Sequence, residues 1–356
     1  MMPIHPHDRD YHTVLKEDMQ AVIEADRLGF DAFWLGEHIT AASEPITSPL
    51  LFLAQAIPQT KNIKLCTGVI NLPQQHPATV AAHTAMFDQM CAGRFVMGIS
   101  SGGLPSDYEL FQLEDASTRG KMMLESIDMI QHLWTQDPPY DLKGQYWHVK
   151  IDDWYCPEYG LGTMRRPFQN PHPPIAMSAM SPFSKTVQIA ASRGWNVVTA
   201  NFIATSSVAS HWKMFQKGSS KAGLEPDSNK WSVARNILVT DRDADAAEYL
   251  ARPDNALAHY YKYMIELFKR AGFTVILKPD EQMSDDELTS TWAIDNFVIA
   301  GSPQTVANKI LAFRDEVGPF GTIAMVAHDW DDPAIHRRSM QLMAEQVMPR
   351  LNEAVG

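Results

Sequence analysis

The chain has 356 residues, 45% of them hydrophobic and 20% charged, so it is long enough for two average globular domains or one large α/β barrel. Its formal net charge of −12 argues against nucleic acid or an anionic membrane as a partner, because either would require a basic face. Cys66, Cys91 and Cys156 are too few and too widely spaced for a disulfide framework or a CxxC metal site. The sequence shows neither a signal peptide nor a membrane-spanning run, so we expect a cytoplasmic protein.

The first 60 residues predict two helices and two strands. Residues 1–4 are a very short apolar start, which we interpret as the stub of a first strand. Thr13–Leu28 carries apolar residues at helical spacing and is followed by a glycine, a common helix C-cap. Asp31–His38 is predicted to be a strand that ends abruptly in charged residues, and Leu50–Ile57 to be a short helix.

Residues 63–103 predict a strand, a helix and a second strand. The first run, IKLCTGVINL, is nearly continuous in apolar residues, which is typical of a strand buried on both faces. His76-Pro77 places a proline in the first turn of a helix, where its missing N–H costs nothing. Gly93 ends that helix before a second buried strand, Arg94–Ser100, and we expect Cys66 and Cys91 to pack as small hydrophobic residues. Ligands of parallel α/β proteins bind at the carboxyl ends of such strands.

The rest of the chain alternates strands and helices, with two long exceptions. Residues 137–174 are too long for a simple connection and should form an excursion (141–172) with a hairpin strand at QYWHVKI. Residues 244–295 are polar and helical and are predicted to be a mobile lid. The other predicted elements, in chain order, are an irregular stretch Leu104–Asp115, helix Thr118–Trp134, strand Pro173–Ala179, a helix capped by Ser181 with Pro182 at its first position, strand Trp195–Ala200, helix Ser206–Ala222, strand Lys230–Thr240, a loop at 299–301, helix Gly301–Gly318, strand Gly321–His328 and helix Pro333–Val347.

Counting the first stub, the chain has about eight strands, most of them followed by a helix. This alternation predicts an α/β protein with a parallel sheet, and the strand number favours a (β/α)8 TIM barrel that forms a single domain over residues 1–356. A doubly wound open sheet is the alternative. The lack of a G-x-G-x-x-G motif after the first strand weakens that alternative.

Polar residues follow most of the predicted strands, and in a barrel they converge on one mouth. Glu37 and His38 are the sharpest pair, because they come directly after the apolar run Phe-Trp-Leu; the alternative is a charged strand end without a function. His5-Pro6-His7 resembles the start of a metal-dependent hydrolase site. The middle strands end without strong ligands, at Ser178-Ala179 and Thr199–Asn201, so we predict no metal.

Arg119 and Ser181 are candidates for holding an anion. A cation in the first turn of a helix opposes the helix dipole, so Arg119 predicts a nearby anion. Ser181 at a predicted helix N-cap offers a hydroxyl and free N–H groups, which commonly bind anions. A phosphate between these two residues is one interpretation of the pattern.

Several segments together resemble the bacterial luciferase-like flavin-dependent monooxygenases. They are EADRLGFDAFWLGEH, TGVINLPQQHPATVAAHTAMFDQMCAGRFVMGISSGG, SPFSKTVQIAASRG and GSPQTVANKI. The closing run from GPFGTIAMVAHDW is more similar to the limonene- and alkane-type members than to true luciferases. The likeness covers about Met2 to Arg350, and it is specific in segments 31–103 and 296–350 but loose across 141–170 and 244–291.

The resemblance implies a two-component, FMN-dependent monooxygenase with a (β/α)8 fold. Such an enzyme takes reduced FMN from a separate flavin reductase and reacts it with O2. The flavin C4a-hydroperoxide that forms oxygenates a small hydrophobic substrate. The resemblance further implies a homodimer.

The resemblance also assigns roles to individual residues. Glu37 and His38 match the active-site Glu-His pair, with His38 as the catalytic candidate. Gly68 and Val69 match a cofactor-binding site against the flavin ring, where the family often has a cis peptide bond, and Ser100 matches a position under the ring. Three residues match positions that bind the flavin phosphate: Arg119, Met180 and Ser181. Ser100 matches the position where luciferases carry a reactive cysteine. Leu104 and Ser101 replace residues that contact the flavin in luciferases, so light-emitting aldehyde chemistry is not implied.

Two other functions remain open. A deazaflavin-dependent oxidoreductase would share the fold, but those relatives usually carry Asp rather than Glu before the histidine, and this chain has Glu37. A non-catalytic flavin-binding relative is the other alternative, and the intact Glu37-His38 pair argues against it. Apolar residues near the predicted mouth favour a terpene, an alkane, or a hydrophobic ketone or aldehyde as substrate; they are Trp34, Met177, Met180, Trp195, Phe202 and Trp330.

Overall fold

The computed structural model of the protein describes residues 3–280, 282–326 and 328–355. The chain divides into two compact units, which are described separately below. The first unit runs from Pro6 to Ala176, and the second contains Pro3–His5 and the chain from Met177 onward. Among the described helices none is both long enough and apolar enough to cross a membrane.

The first unit alternates helices with short parallel strands. Strand β1 pairs with β2 through Phe33 and Leu65, and β2 pairs with β4 through Cys66 and Val96. The short strand β3 extends the pairing with β4. The elements are α1 (Tyr11–Leu28), β1 (Ala32–Leu35), α2 (Pro49–Ala56), β2 (Lys64–Thr67), β3 (Ile70–Asn71), α3 (Pro77–Met90), β4 (Phe95–Ser100), α4 (Pro105–Leu110), α5 (Ala116–Thr135), β5 (Tyr140–Lys143) and β6 (His148–Ile151).

Gly98 of β4 allows the backbone of β4 to lie close to Thr67 of β2. A Cβ atom on Gly98 would lie 2.0 Å from the carbonyl oxygen of Thr67, which no real side chain tolerates. The Gly98 N–H instead donates to the Thr67 hydroxyl, and that hydroxyl donates to the Gly98 carbonyl oxygen, each at 2.9 Å. This close contact holds together the two strands whose carboxyl ends carry candidate cofactor residues. Cys66 and Cys91 are both buried in this unit, as predicted.

The excursion contains the predicted hairpin. Strands β5 and β6 pair antiparallel, with Leu142 opposite Val149. The Glu125 carboxylate accepts backbone N–H groups from Gln145 and Trp147 at 2.7 and 2.8 Å, which fixes the turn of the hairpin to helix α5.

The second unit is built on strand β9, which pairs parallel with β8, β10 and β11. Trp231, the first residue of β9, is fully buried, and its indole N–H donates to the Thr199 hydroxyl at 2.9 Å. The elements are β7 (Ile175–Ala179, with its last three residues in this unit), α6 (Lys185–Ser192), β8 (Asn196–Thr199), α7 (Thr205–Lys221), β9 (Trp231–Val239), α8 (Asp243–Ala251), α9 (Ala256–Ala271), α10 (Ser290–Phe297), β10 (Val298–Gly301), α11 (Pro303–Val317), β11 (Thr322–Val326), α12 (Pro333–Leu342), a π-helical turn (Met343–Val347) and α13 (Met348–Val355).

Three local predictions are wrong. The stretch 104–115, predicted to be irregular, contains α4, which begins with Pro105 at a first helical position that suits proline. The segment 299–301, predicted to be a loop, is part of β10, where Ile299 pairs with Ile237 of β9. Pro3 and Ile4 are not in a strand, and the other two residues of the predicted first stub lie outside the described residues.

Ser181 does not cap a helix. Helix α6 begins only at Lys185, with Ser184 at its N-cap position. Phe183 has a φ of 49°, in the left-handed region, and its N–H donates to the Ser210 hydroxyl at 2.8 Å. A residue in the left-handed conformation cannot continue a right-handed helix. Helix α6 therefore begins only after Phe183.

The segment 244–295 is less polar in the structure than its sequence suggests. Helix α9 buries a continuous apolar face that includes Tyr261, Met264 and Phe268. Within the segment, Glu281 lies outside the described residues. The predicted role of this segment as a mobile lid stays a prediction.

Candidate active site

The His38 imidazole lies between two carboxylates. Its Nδ1 atom is 2.9 Å from Oδ2 of Asp107, and its Nε2 atom is 3.5 Å from Oε2 of Glu44. His38 follows β1, and its backbone N–H donates to the Ile46 carbonyl oxygen at 2.9 Å, which folds the loop back on itself. The His38 side chain is 22% exposed while that of Asp107 is 2% exposed. The two carboxylates therefore hold the imidazole in place, while part of its surface remains exposed to solvent.

Asp107 is a rigid anchor for this histidine. It lies in the first turn of α4, where a carboxylate is favoured by the helix dipole. Its Oδ1 atom accepts the N–H groups of Ile39 and Thr40 and the hydroxyl of Thr40, at 2.6–3.1 Å. Although burial opposes its charge, hydrogen bonds from His38 and Thr40 hold the pKa of Asp107 below its ordinary value. Asp107 is thus an anion that accepts the His38 Nδ1–H bond and fixes the orientation of the ring.

The two carboxylates raise the pKa of His38. Burial disfavours the imidazolium, but the charges of Glu44 and Asp107 and the hydrogen bond to Asp107 outweigh it, so the pKa lies above its ordinary value of 6.5. The two carboxylates thus favour the protonated form of the His38 imidazole.

Glu37 occupies a separate, apolar environment. Its side chain is buried, and Oε1 accepts the backbone N–H of Asn71 at 2.7 Å. Burial is the largest effect on this carboxyl and raises its pKa to about 7. The side chains of Glu37 and His38 form hydrogen bonds with different residues, Asn71 and Asp107 respectively, as expected for adjacent residues whose side chains need not touch. The site thus holds two adjacent groups whose pKa values are both raised, a property typical of proton-transfer sites.

Gly68, Val69 and Ser100 lie near these groups in the first unit. The Gly68–Val69 peptide bond is cis, as the family resemblance implied. The Gly68 N–H donates to the Leu35 carbonyl oxygen at 2.6 Å, so the bend at Gly68 and Val69, which directly follows β2, lies beside the end of β1. Ser100 ends β4 opposite Asn71, and its hydroxyl accepts the Gly102 N–H at 3.3 Å.

Arg119 is buried with one nitrogen left without a partner. Its Nη1 atom donates to the carbonyl oxygens of Leu113 and Glu114 at 2.5 and 2.8 Å, and its guanidinium lies 3.9 Å above the Tyr108 ring. The Nε–H group is buried and has no hydrogen-bond partner among the described residues. A buried, unpaired guanidinium N–H is costly, so this residue fits an anion such as a phosphate.

Met180 and Ser181 follow β7 in the second unit. The Ser181 carbonyl oxygen accepts from Nε2 of His211 at 2.9 Å, and the other His211 nitrogen lies 2.9 Å from the Thr199 hydroxyl. Burial lowers the pKa of His211 to about 4, so this imidazole is neutral. His211 therefore fixes the backbone at Ser181 even though Ser181 is not a helix cap.

The sequence analysis missed Asp107 and Glu44. The signal for Asp107 is local: Pro105 followed two residues later by an acidic residue is a common helix start. No local signal links either carboxylate to His38. Among the described residues, no group of three His, Cys, Asp or Glu side chains could hold a metal ion, and His5 of the H-P-H motif is buried.

Comparison with known proteins identifies the family. The sequence model of the luciferase-like monooxygenases matches residues 1–318. The chain belongs to the luciferase-like monooxygenase family.

Similar proteins include terpenoid monooxygenases. The chain is 27% identical to 3,6-diketocamphane 1,6-monooxygenase of Pseudomonas putida, over 94% of this chain and 92% of that protein. It is 26% identical to limonene 1,2-monooxygenase of Rhodococcus erythropolis, over 100% of this chain and 86% of that protein. The solved structure of the oxygenating constituent of 3,6-diketocamphane monooxygenase from P. putida, a type II Baeyer–Villiger enzyme in complex with FMN, is 26% identical and has a TM-score of 0.88, over 98% of this chain and 96% of that one. The predicted family, its limonene-type branch, the (β/α)8 fold class and the assignment as a monooxygenase are therefore confirmed.

Proposed function

We propose that this protein is the oxygenating component of a two-component, FMN-dependent monooxygenase. When bound, reduced FMN from a separate flavin reductase would supply the two electrons for O2, by the C4a-hydroperoxide chemistry that the family resemblance implies. One oxygen atom enters a small hydrophobic substrate, and the other leaves as water after taking up two protons.

The arrangement around His38 is the observation that carries this proposal. The reaction has to protonate the oxygen atom that leaves as water, and an uncontrolled proton supply releases hydrogen peroxide instead. The carboxylates of Glu44 and Asp107 raise the pKa of His38, and its imidazole is partly exposed and kept in one orientation by Asp107. Glu37, with its pKa near 7, is a second proton reservoir next to it. A hydride-transfer enzyme that uses no O2 has less need for two such groups.

The chain offers groups for the cofactor in both units. The unpaired Arg119 Nε–H, with the guanidinium charge behind it, would bind the FMN phosphate, and so would the backbone and hydroxyl at Met180 and Ser181. The bend at Gly68 and Val69 and the hydroxyl of Ser100 would contact the flavin ring. The assignment of each of these six residues follows the family resemblance.

We infer that the substrate is a small terpenoid or a similarly sized apolar molecule. The relatives named above act on diketocamphane and limonene, which are compact hydrophobic compounds. Hydroxylation, epoxidation and ring insertion are all compatible with this class, and product analysis with a panel of such compounds would separate them.

The test supplies photochemically reduced FMN, which replaces the reductase, to the protein with O2 and a panel of terpenes and cyclic ketones. Formation of a product that contains one oxygen atom from 18O2, with less hydrogen peroxide than without substrate, is the expected result. Hydride transfer from a reduced deazaflavin without O2 would identify the alternative oxidoreductase. Tight FMN binding with no turnover in either assay would identify a non-catalytic flavin carrier.

We further propose the homodimer and cytoplasmic location expected for the family, and a single-domain barrel with residues 244–295 as a lid. Light scattering coupled to size exclusion tests the dimer. Limited proteolysis tests the lid, which should be cut first and be protected when flavin and substrate bind. Early cleavage elsewhere that ligands do not change would contradict a lid.

A further inference from the structure

Among the described residues, several buried polar nitrogens of the second unit have no hydrogen-bond partner. They include Nδ2 of Asn236, both ring nitrogens of His328 and Nε1 of Trp330. Asn236 and His328 are 0% and 2% exposed, respectively, so water reaches neither from bulk solvent. Native proteins leave few such groups unsatisfied, and each one calls for an explanation, such as a ligand.

A chain of contacts connects Asn236 to His328. The Asn236 Oδ1 atom accepts from Nδ2 of Asn201 at 2.5 Å and from the Tyr261 hydroxyl at 3.1 Å. The same Asn201 Nδ2 donates to the Tyr260 hydroxyl at 2.8 Å. The Tyr260 ring stacks on His328 with 4.3 Å between ring centroids. We call Asn201, Asn236, Tyr260 and His328, together with Trp330 two residues after His328 in the chain, the amide–imidazole cluster.

These contacts fix what the cluster can offer to a ligand. Because Asn236 Oδ1 already accepts two hydrogen bonds, the amide cannot flip without losing both, so its NH2 group remains as a donor. Trp330 Nε1 can only donate. Neutral His328 donates from one nitrogen and accepts at the other. The nitrogens of Asn236, His328 and Trp330 that have no partner among the described residues are therefore mostly hydrogen-bond donors.

The cluster is also uncharged. Burial lowers the pKa of His328 to about 3, with smaller effects from the His336, His5 and His259 imidazoles. Arg235 is next to Asn236 in β9. Its guanidinium donates to the backbone carbonyl oxygens of Asn201 and Ile203 and packs over the Phe313 ring, so backbone oxygens and an aromatic ring already occupy it. A buried carboxylate would need a compensating charge. A neutral acceptor oxygen on an apolar molecule does not need one.

The cluster lies where a barrel enzyme binds its substrate. Asn201 and His328 each come two residues after the end of a strand, β8 and β11 respectively. Asn236 is in β9, directly opposite Val326 of β11. Parallel strands end at the same edge, so Asn201 and His328 belong to the carboxyl ends of β8 and β11, where ligands of this fold class bind, and Asn236 lies beside the last residue of β11.

We propose that the amide–imidazole cluster binds the carbonyl oxygen of a hydrophobic ketone, with Asn236 and His328 as the hydrogen-bond donors. This inference deepens the proposed function, on which it rests for the identity of the bound ketone as a substrate. It assigns the cluster a role in selecting ketones over hydrocarbons of the same shape.

The test compares binding of two probes with the same skeleton: camphor, a bicyclic ketone, and 2-methylenebornane, in which a CH2 group replaces the carbonyl oxygen. Tryptophan fluorescence reports binding to the flavin-free and the FMN-loaded protein. Wild type should bind the ketone at least about 10-fold more tightly, which corresponds to about 1.4 kcal/mol. Equal affinity for the two probes would overturn the inference.

Variants test whether the preference for the ketone arises from the amide–imidazole cluster. His328→Phe keeps a ring to stack on Tyr260 and should reduce the ketone preference to near unity, whereas His328→Gln, which keeps a donor, should retain most of it. Asn236→Leu should also abolish the preference. Asn308→Leu makes the same change at an exposed residue of α11 and should leave the preference at the wild-type value.

The outcomes separate this inference from the proposed function. If His328→Phe folds, binds FMN and keeps the wild-type ketone preference, the cluster does not bind the carbonyl oxygen. If borneol, the corresponding alcohol, binds more tightly than camphor, the assignment to a ketone is wrong. If the preference depends on the cluster but reduced FMN and O2 give no oxygenated product, the binding site stands and the proposed monooxygenase function fails.

Discussion

Glu37→Gln tests the electrostatic description of the site, because it removes a titration and preserves a hydrogen bond. The glutamine side-chain oxygen can still accept the Asn71 N–H that Glu37 accepts at 2.7 Å. Burial raises the pKa of Glu37 from 4.5 to about 7. Between these two values the folded protein keeps a proton that the unfolded chain has lost, so the free energy of unfolding falls as the pH rises.

The size of this effect follows from the pKa difference. A difference of about 2.5 units at about 1.4 kcal/mol per unit amounts to about 3 kcal/mol, fully developed above pH 7. Part of it, about 1 kcal/mol, is already present at pH 5. The glutamine variant lacks this penalty, so its stability relative to wild type should increase by about 2–3 kcal/mol between pH 5 and pH 8.

Urea unfolding of wild type and Glu37→Gln, followed by fluorescence at several pH values from 5 to 8, measures this difference. Glu109→Gln is the matched control, because it makes the same substitution at an exposed position of α4, and its stability should run parallel to wild type. Parallel curves for Glu37→Gln as well would refute the reasoning, since they would mean that Glu37 is ionised in the folded protein throughout this range.

Three further changes test the site and the fold. His38→Ala should fold and bind FMN but lose about 10²–10⁴-fold in coupled product formation, with reduced FMN still oxidised to give hydrogen peroxide; wild-type coupling would remove His38 from proton transfer. Arg119→Ala should weaken FMN by about 1.5–3 kcal/mol more than riboflavin, which lacks the phosphate, and an equal loss in equilibrium titrations would exclude a phosphate contact. Gly98→Ala should destabilise the fold by about 3 kcal/mol or more, because its Cβ would lie 2.0 Å from the Thr67 carbonyl oxygen; Gly120→Ala, with nothing within 4 Å, should be harmless, and similar melting temperatures for both variants would contradict this.

The sequence by itself determined the α/β class and the positions of most elements. Apolar runs and helix-terminal residues are local signals, and α1, α3, β4 and the β5–β6 hairpin all lie where those signals placed them. The sequence also singled out His38 and Glu37, because a charged pair directly after a buried strand stands out in the chain. The errors were local too: Ser181-Pro182 has the pattern of a helix start, but Phe183 adopts a left-handed conformation that delays α6 to Lys185.

Only the tertiary structure decided what the site residues can do. Asp107 is 69 residues away from His38 along the chain, yet its carboxylate sets the orientation of the imidazole and helps to raise its pKa. Glu37 has an ordinary pKa in any extended peptide, and in the folded protein burial, the largest of several effects, raises it to about 7. The unpaired nitrogens of Asn236 and His328 have the same origin, because whether a polar atom finds a partner depends on distant segments of the chain. Local sequence fixes which groups are present, whereas desolvation and long-range contacts fix their charge and their free hydrogen-bonding capacity.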